Sequence, residues 1–421
     1  MVPKGWITKA LELTGVKVID GDRGKEYPKA SDFSGDGYCL FLSAKNVTKY
    51  GFQFNELQFI DAEKDKKLRK GRVKRSNIVL TTRGSVGHFA YYDASVPYDV
   101  MRINSGMVIL DADESDLEPN FLYALCRSFI VQKQIEAASF GSAQPQLTVG
   151  IVKGLKLPIP TLVEQKKIAQ ILLTWDNAIS VTEKLLTNSQ LQKKALMQQL
   201  LTGKKRLLDE NGTRFSETWK LYALSKLFQR VTTKNNGKSN NVVTISGQHG
   251  LIKQEDFFKK TVASDTLDGY FLLKKGQFAY NKSYSNGYPM GAIKRLNRYP
   301  EGVVTTLYIC FELTTPKKSC GDYWEHYFES GLLNNSLSQI AHEGGRAHGL
   351  LNVKPSDFFS LKVAVPGFEE QQKIASVLSA ADTEISTLEK KLACLRDEKK
   401  ALMQQLLTGK RRVKVDEAVA E

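Results

Sequence analysis

Lys193-Lys-Ala-Leu-Met-Gln-Gln-Leu-Leu-Thr-Gly-Lys204 returns without a change as Lys399-Lys-Ala-Leu-Met-Gln-Gln-Leu-Leu-Thr-Gly-Lys410. Twelve identical residues at an offset of 206 mark an internal duplication. The match extends backwards without a gap to Glu164-Gln165 and Glu370-Gln371, with 24 of 41 positions identical. The stretches before each copy are much less alike. The chain therefore reads as variable, repeat, variable, repeat.

Both copies predict long helices. In the second, Ile374, Leu378, Ala381, Ile385, Leu388, Leu392, Leu395, Lys399, Leu402 and Leu406 alternate spacings of four and three, the heptad pattern of a coiled-coil seam. The first copy keeps that register with Ile168, Leu172, Trp175, Ile179, Thr182, Leu186, Ser189, Lys193, Leu196 and Leu200. Its polar members, Thr182, Ser189 and Lys193, weaken an apolar seam and help to set register. Pro160 and Pro366 stand before the helices, and Gly203 and Gly409 stop them. A helix from Glu164 to Thr202 would be about 58 Å long at 1.5 Å per residue. If the second helix runs back along the first, the pair is antiparallel within one chain. The two variable domains would then be related by a pseudo-two-fold axis, about 10 to 15 base pairs apart on a DNA scale.

Each variable unit predicts a mixed α/β domain. The first has strand-like runs at Tyr38–Leu42, Ile78–Thr82 and Met107–Leu110, then a helical stretch over Asn120–Ala138 with Phe121, Leu122, Leu125, Phe129 and Ile130 on its apolar side. The second repeats the order with Val242–Ile245, Tyr270–Leu273 and Val303–Phe311, then a helix near Tyr323–Leu333. Both open on a tryptophan, Trp6 or Trp219, and close on Leu-Lys-x-x-x-Pro at Leu155–Pro160 and Leu361–Pro366. The expected fold is α+β: domain 1 over 1–160, helix over 161–206, domain 2 over 207–366, helix over 367–412 and a tail over 413–421.

Bulk properties narrow the function. A chain of 421 residues with 42% apolar and 10% aromatic content suits two folded domains, and its net charge of +15 suits a polyanion, nucleic acid first. No apolar run reaches membrane-span length and Met1–Trp6 carries no apolar signal core, so a cytoplasmic protein without membrane contact is expected. Five scattered cysteines and five histidines show no metal-ligand spacing, and no metal site is expected. Phe33-Ser-Gly-Asp-Gly37 matches the Phe-x-Gly-x-Gly of S-adenosylmethionine sites. A strand-like run follows it where a cofactor loop should open a helix, and neither an Asn/Asp-Pro-Pro-aromatic tetrapeptide nor a phosphate-binding Gly-x-x-x-x-Gly-Lys-Ser/Thr is present.

These residues closely resemble the specificity subunit of type I restriction–modification systems. The resemblance spans essentially the whole chain and is carried by Pro-x-x-x-Glu-Gln-x-x-Ile at Pro160–Ile168 and Pro366–Ile374, with Leu-Leu-Thr-Gly-Lys ending each helix. It implies two target-recognition domains that each read half of a bipartite DNA sequence, with the helices as a ruler. It also implies a chain with no catalytic residues of its own. Two modification subunits, carrying S-adenosylmethionine, would methylate adenine and dock on the repeats, and restriction subunits using ATP and Mg would join through them. A self-contained methyltransferase or nuclease and a coiled-coil protein scaffold are the alternatives.

Candidate base readers are basic or amide residues in glycine-bounded loops, because Arg can fork onto guanine and Asn or Gln onto adenine. In domain 1 these are Thr82-Arg83-Gly84-Ser85 and Gly141-Ser-Ala-Gln144, and in domain 2 Asn281-Lys282-Ser283-Tyr284 and Gly344-Gly-Arg346. The tract Lys64–Arg75, with Lys70 and Arg72, is a candidate phosphate contact.

Overall fold

The computed structural model describes residues 2–139, 146–258, 266–343 and 351–414. The chain folds as two compact units, Met1–Glu183 with Lys391–Glu421, and Lys184–Lys390. Helices and strands mix in both, and two uninterrupted 39-residue helices, Leu162–Leu200 and Phe368–Leu406, belong to the repeats.

In the first unit a four-stranded sheet of Lys17–Asp20, Met107–Asp111, Ile78–Thr81 and Phe89–Tyr91 packs against the helices Pro119–Cys126 and Phe129–Ser139. A second four-stranded sheet, Phe59–Ile60, Cys39–Leu42, Met101–Ile103 and Arg72–Val73, contributes to a separate apolar cluster around Leu40, Val79 and Ile109. The Gly35–Gly37 stretch thus leads into the buried strand Cys39–Leu42 and not into a helix. The buried pair Arg102 and Asp65 ties the helix Ala62–Lys67 to this sheet, and Arg102 also donates to the carbonyls of Lys70 (2.9 Å) and Leu68 (3.1 Å).

The second unit has the sheet Phe228–Arg230, Ile309–Leu313, Phe278–Asn281 and Ala292–Arg295, covered by Gly321–Glu329 and Pro355–Ser360. Its core is an aromatic stack in which Phe278 lies flat on Phe311 at 5.5 Å and Trp324 meets Phe228 edge-on at 5.0 Å. Such pairs contribute about 0.5–1.5 kcal/mol beyond their burial.

Two expectations are corrected. The stretch Asn120–Ala138 is two helices, because Arg127 and Ser128 end the first and the Ser128 hydroxyl turns back to the Leu125 carbonyl at 2.6 Å. Phe129 consequently stands 41% exposed, and Val131 and Ile135 take the inward positions. Likewise Val303–Phe311 is two strands, Glu301–Val304 and Ile309–Leu313, parted by a turn in which the Tyr308 amide bonds to Thr305 at 3.2 Å.

The bookends of each domain meet. Ile7–Ala10 pairs antiparallel with Lys156–Ile159, and Lys220–Ala223 pairs with Lys362–Val365. Beside these ribbons Glu164 accepts from Trp6 Nε1 at 3.2 Å and Arg412 Nε at 2.7 Å, while Glu370 accepts from Trp219 Nε1 at 3.0 Å and Arg206 Nε at 2.6 Å. The neighbouring glutamines do parallel work. Gln165 accepts from the Glu118 amide and Gln371 from the Cys320 amide, each at 2.9 Å, at the start of a domain helix. The Glu-Gln pair therefore fastens each repeat helix to its domain.

Within each unit the parts of the two long helices that share it run antiparallel. In the first, Lys399 pairs with Asp176, and Arg396 with Glu183 at 2.6 Å, while Leu406 and Leu407 pack with Ile168, Ala169 and Leu172. In the second, Lys193 pairs with Asp382, Ser189 donates to Glu384 at 3.0 Å, and Met197 and Leu200 pack with Ile374 and Leu378. The ten seam positions expected on each helix are all buried or half-buried, whereas Leu173, Val181, Leu185 and Leu191 beside them are exposed.

Candidate nucleic-acid interface

The candidate loops begin where two matching strands end. In the first unit Ile78–Thr81 runs into Thr82, whose amide donates to Gly106 O at 2.8 Å and whose carbonyl accepts from Leu147 N at 3.0 Å. In the second unit Phe278–Asn281 runs into Lys282, whose carbonyl accepts from Leu351 N at 2.8 Å. One backbone hydrogen bond, in the same place in both domains, thus ties the segment after the late loop to the strand-end loop. Residues 140–145 and 344–350, which include Gln144 and Arg346, lie outside the described residues.

Arg83 is exposed, and its amide is fixed on Gly106 O at 3.2 Å. Gly84 at φ +72° and Gly87 at +85° supply the left-handed backbone that lets the loop turn back, with the Gly87 amide returning to Thr81 O at 3.0 Å. Ser85 lies exposed in this turn, and its carbonyl accepts from the Thr81 hydroxyl. Lys70 borders the same edge: Ile103 N donates to Gly71 O at 2.9 Å, and the turn that follows Ile103 contains Gly106. The loop Gly21–Arg23 closes on that turn too, Arg23 reaching Ser105 O at 3.2 Å.

Arg72 is differently placed. Its guanidinium is held by Asp65 at 3.3 Å and by the Tyr38 hydroxyl at 3.2 Å. Other cations of the Lys64–Arg75 tract are also paired: Lys64 with Asp32 at 3.2 Å, Arg69 with Asp22 at 4.0 Å, and Arg75 with Asp99 at 2.8 Å. The backbone amides of Gly24 and Arg69, with the Arg69 charge, hold the Asp22 carboxyl below its usual range. Much of the tract's charge is therefore neutralised internally, which its sequence did not reveal.

In the second unit Lys282 reaches toward Val353 O at 3.4 Å, and burial, with the Arg230 charge as a lesser cause, lowers the pKa of its ammonium. Ser283 N bonds to Asn281 Oδ1 at 3.2 Å, and Tyr284 stands 63% exposed just before the turn closed by Ser285 and Tyr288. Sequence reasoning did not single out Arg230, Gln146, or the arginines Arg206 and Arg412. The last two had a visible signal, since they share the 206-residue offset just beyond the quoted repeat.

Two mixed domains whose matching strands end in loops with different side chains, each fastened to long duplicated helices, define a class: a protein with two recognition domains. Residues 5–190 match the family described as the type I restriction modification DNA specificity domain. The type I restriction enzyme MjaVIII specificity subunit of Methanocaldococcus jannaschii is 24% identical over 338 residues, covering 74% of this chain and 75% of its own. A protein of that organism provisionally named the MjaX specificity subunit is also 24% identical, over 391 residues, covering 88% and 86%. The crystal structure of the type I restriction–modification S subunit from M. genitalium has the same fold, with TM-score 0.58, 14% identity and 96% of both chains covered. Over residues 5–190 by family model, and over most of its length by these relatives, the chain is similar to the specificity subunits of type I restriction–modification systems, and DNA sequence recognition is the function these matches support. Among the described residues no helix is long and apolar enough to cross a membrane.

Proposed function

We propose that this chain reads a bipartite DNA target, one half-site per domain, and hands the result to partner subunits that methylate adenine and cut DNA. One observation carries the reading: the Thr82–Leu147 and Lys282–Leu351 backbone bonds tie matching segments to the strand-end loop in both domains, while the side chains of those loops differ. Like frames with unlike side chains suit two different half-sites.

In this reading the chain has no catalytic residues of its own. Two modification subunits dock on the repeat helices and adjoining surfaces, since two copies of one partner need two equivalent faces. Restriction subunits join through them. S-adenosylmethionine, and ATP with Mg for restriction, belong on those partners, and the assembly works in the cytoplasm. Arg83, Ser85, Gln144 and Lys70 serve the first half-site, with Arg72 beside them on the phosphate backbone. Lys282, Ser283, Tyr284 and Arg346 serve the second. Exchanging residues 6–160 for the first domain of another family member tests this. Mapping methylated adenines should show one half-site changed and the other kept; both changed, or neither, contradicts the assignment.

A further inference from the structure

The first unit contains an arginine that differs from its neighbours in what holds it. Arg23, Arg69, Arg72, Arg75 and Arg102 each face a carboxylate, from Asp20, Asp22, Asp65, Asp99 and Asp65 respectively. Arg127 lies over the Tyr123 ring, 5.1 Å from its centre, and bonds that tyrosine's hydroxyl at 3.3 Å. Arg83 has no carboxylate partner among the described residues. Its guanidinium is met instead by the neutral amide of Gln146: with the oxygen turned inward, the orientation that sets acceptor against donors, Oε1 lies 2.9 Å from Nη2 and 3.1 Å from Nε.

That contact does two things at once. It occupies the Nε edge of the guanidinium and so fixes its plane, while the end edge, one N–H on each Nη, meets no partner among the described residues. It also leaves the positive charge uncancelled. A planar, oriented, charged fork with one free edge is the donor set that spans O6 and N7 of guanine in the major groove. The backbone on both sides is held: Arg83 N bonds to Gly106 O at 3.2 Å, and Leu147, next to Gln146, bonds to Thr82 O at 3.0 Å. Two chain segments more than 60 residues apart are thereby locked so that one side chain aims the other. A glutamate at position 146 would grip as well but would cancel the charge, so the neutral residue is the informative choice.

We propose that Gln146 is a positioning residue that presents Arg83 to a guanine in the half-site read by the first domain. The inference rests on the proposed reading of a bipartite target and adds to it a base, a reader and the residue that sets the reader. Full-length Q146L, Q146E and R83K would each be assembled with modification subunits beside the wild type. Methylated adenines would be mapped in the host genome, and competition binding measured with duplexes changed one base pair at a time. All three variants should relax the same single guanine position of one half-site, cutting its preference on the order of tenfold or more. The other half-site and the thermal midpoint should stay as in the wild type. Unchanged preference at every position overturns the proposal, as does relaxation by R83K without relaxation by Q146L. Equal loss at both half-sites would show a purely structural role and also overturns it. A wild-type complex that yields no two-part motif would instead remove the bipartite reading itself, so the two failures are told apart.

Discussion

The Glu-Gln pair at the head of each repeat is where sequence and geometry differ most in what they disclose. From the sequence it served only as a family mark; in the fold, Glu370 is 2% exposed and receives both Arg206 and the indole of Trp219. Removing it leaves a charge and an N–H without their acceptor, so E370A should cost about 3 kcal/mol, read as the shift in chemical denaturation of the full chain. The matching E164A should cost less, about 1–2 kcal/mol, because the Arg412 side chain is 45% exposed and water screens it. Equal losses would contradict the burial argument. A second residue gives a pH dependence. Burial is the chief cause that lowers the His326 pKa below 6.5; Asp382, Asp322 and Glu329 oppose it, and Lys193 adds to it. The ring also meets Ser379 Oγ at 3.0 Å. Native His326 thus refuses a proton that the unfolded chain accepts, so its contribution to stability is held above pH about 6.5 and declines as pH falls. Thermal midpoints measured from pH 7.5 downward should fall less steeply in H326Q than in the wild type; identical slopes would exclude the effect.

At the level of elements, the helices were legible and the interruptions were not. Spacing alone separated Leu172 and Leu378, which are buried, from Leu173, which is 48% exposed, because a heptad stripe is fixed by helix geometry. L378A should therefore cost about 2–5 kcal/mol, while L173A should stay within about 0.5 kcal/mol, both measured by denaturation. Similar costs would mean that the seam is misassigned. The break at Arg127 and Ser128 escaped detection because neither residue is a strong helix breaker; it is made by a side-chain bond to Leu125 O. The turn at Thr305–Tyr308 was missed for a related reason, as β-favouring residues run through it without a glycine or proline. The basic tract Lys64–Arg75 looked like a phosphate track since its partners Asp22, Asp32 and Asp99 are distant in sequence. Of the candidate site, the strand-end loops could be found from glycine punctuation. The Arg83–Gln146 contact could not, because it joins segments whose meeting only the fold decides.

For the whole molecule, the duplication separates two kinds of requirement. The duplicated repeats meet like demands: each fastens a domain through Trp, Glu and Arg, and each unit carries a Lys–Asp pair between helices, Lys399 with Asp176 and Lys193 with Asp382. The domains share a frame and differ in their strand-end loops, as the proposed reading of two unlike half-sites requires. With a net charge of +15, binding should weaken steeply as salt rises, with log affinity falling linearly in log salt; a flat salt response would count against phosphate contacts by these domains. The central claim is that the domains read and the helices measure. Its most direct test is to delete one heptad from each long helix, in matched register, and to map methylated adenines in cells carrying the variant complex. A heptad is about 10.5 Å of helix, so the account predicts both half-site sequences unchanged and the spacer between them shortened by about 3 base pairs. An unchanged spacer, with methylation retained, would contradict it.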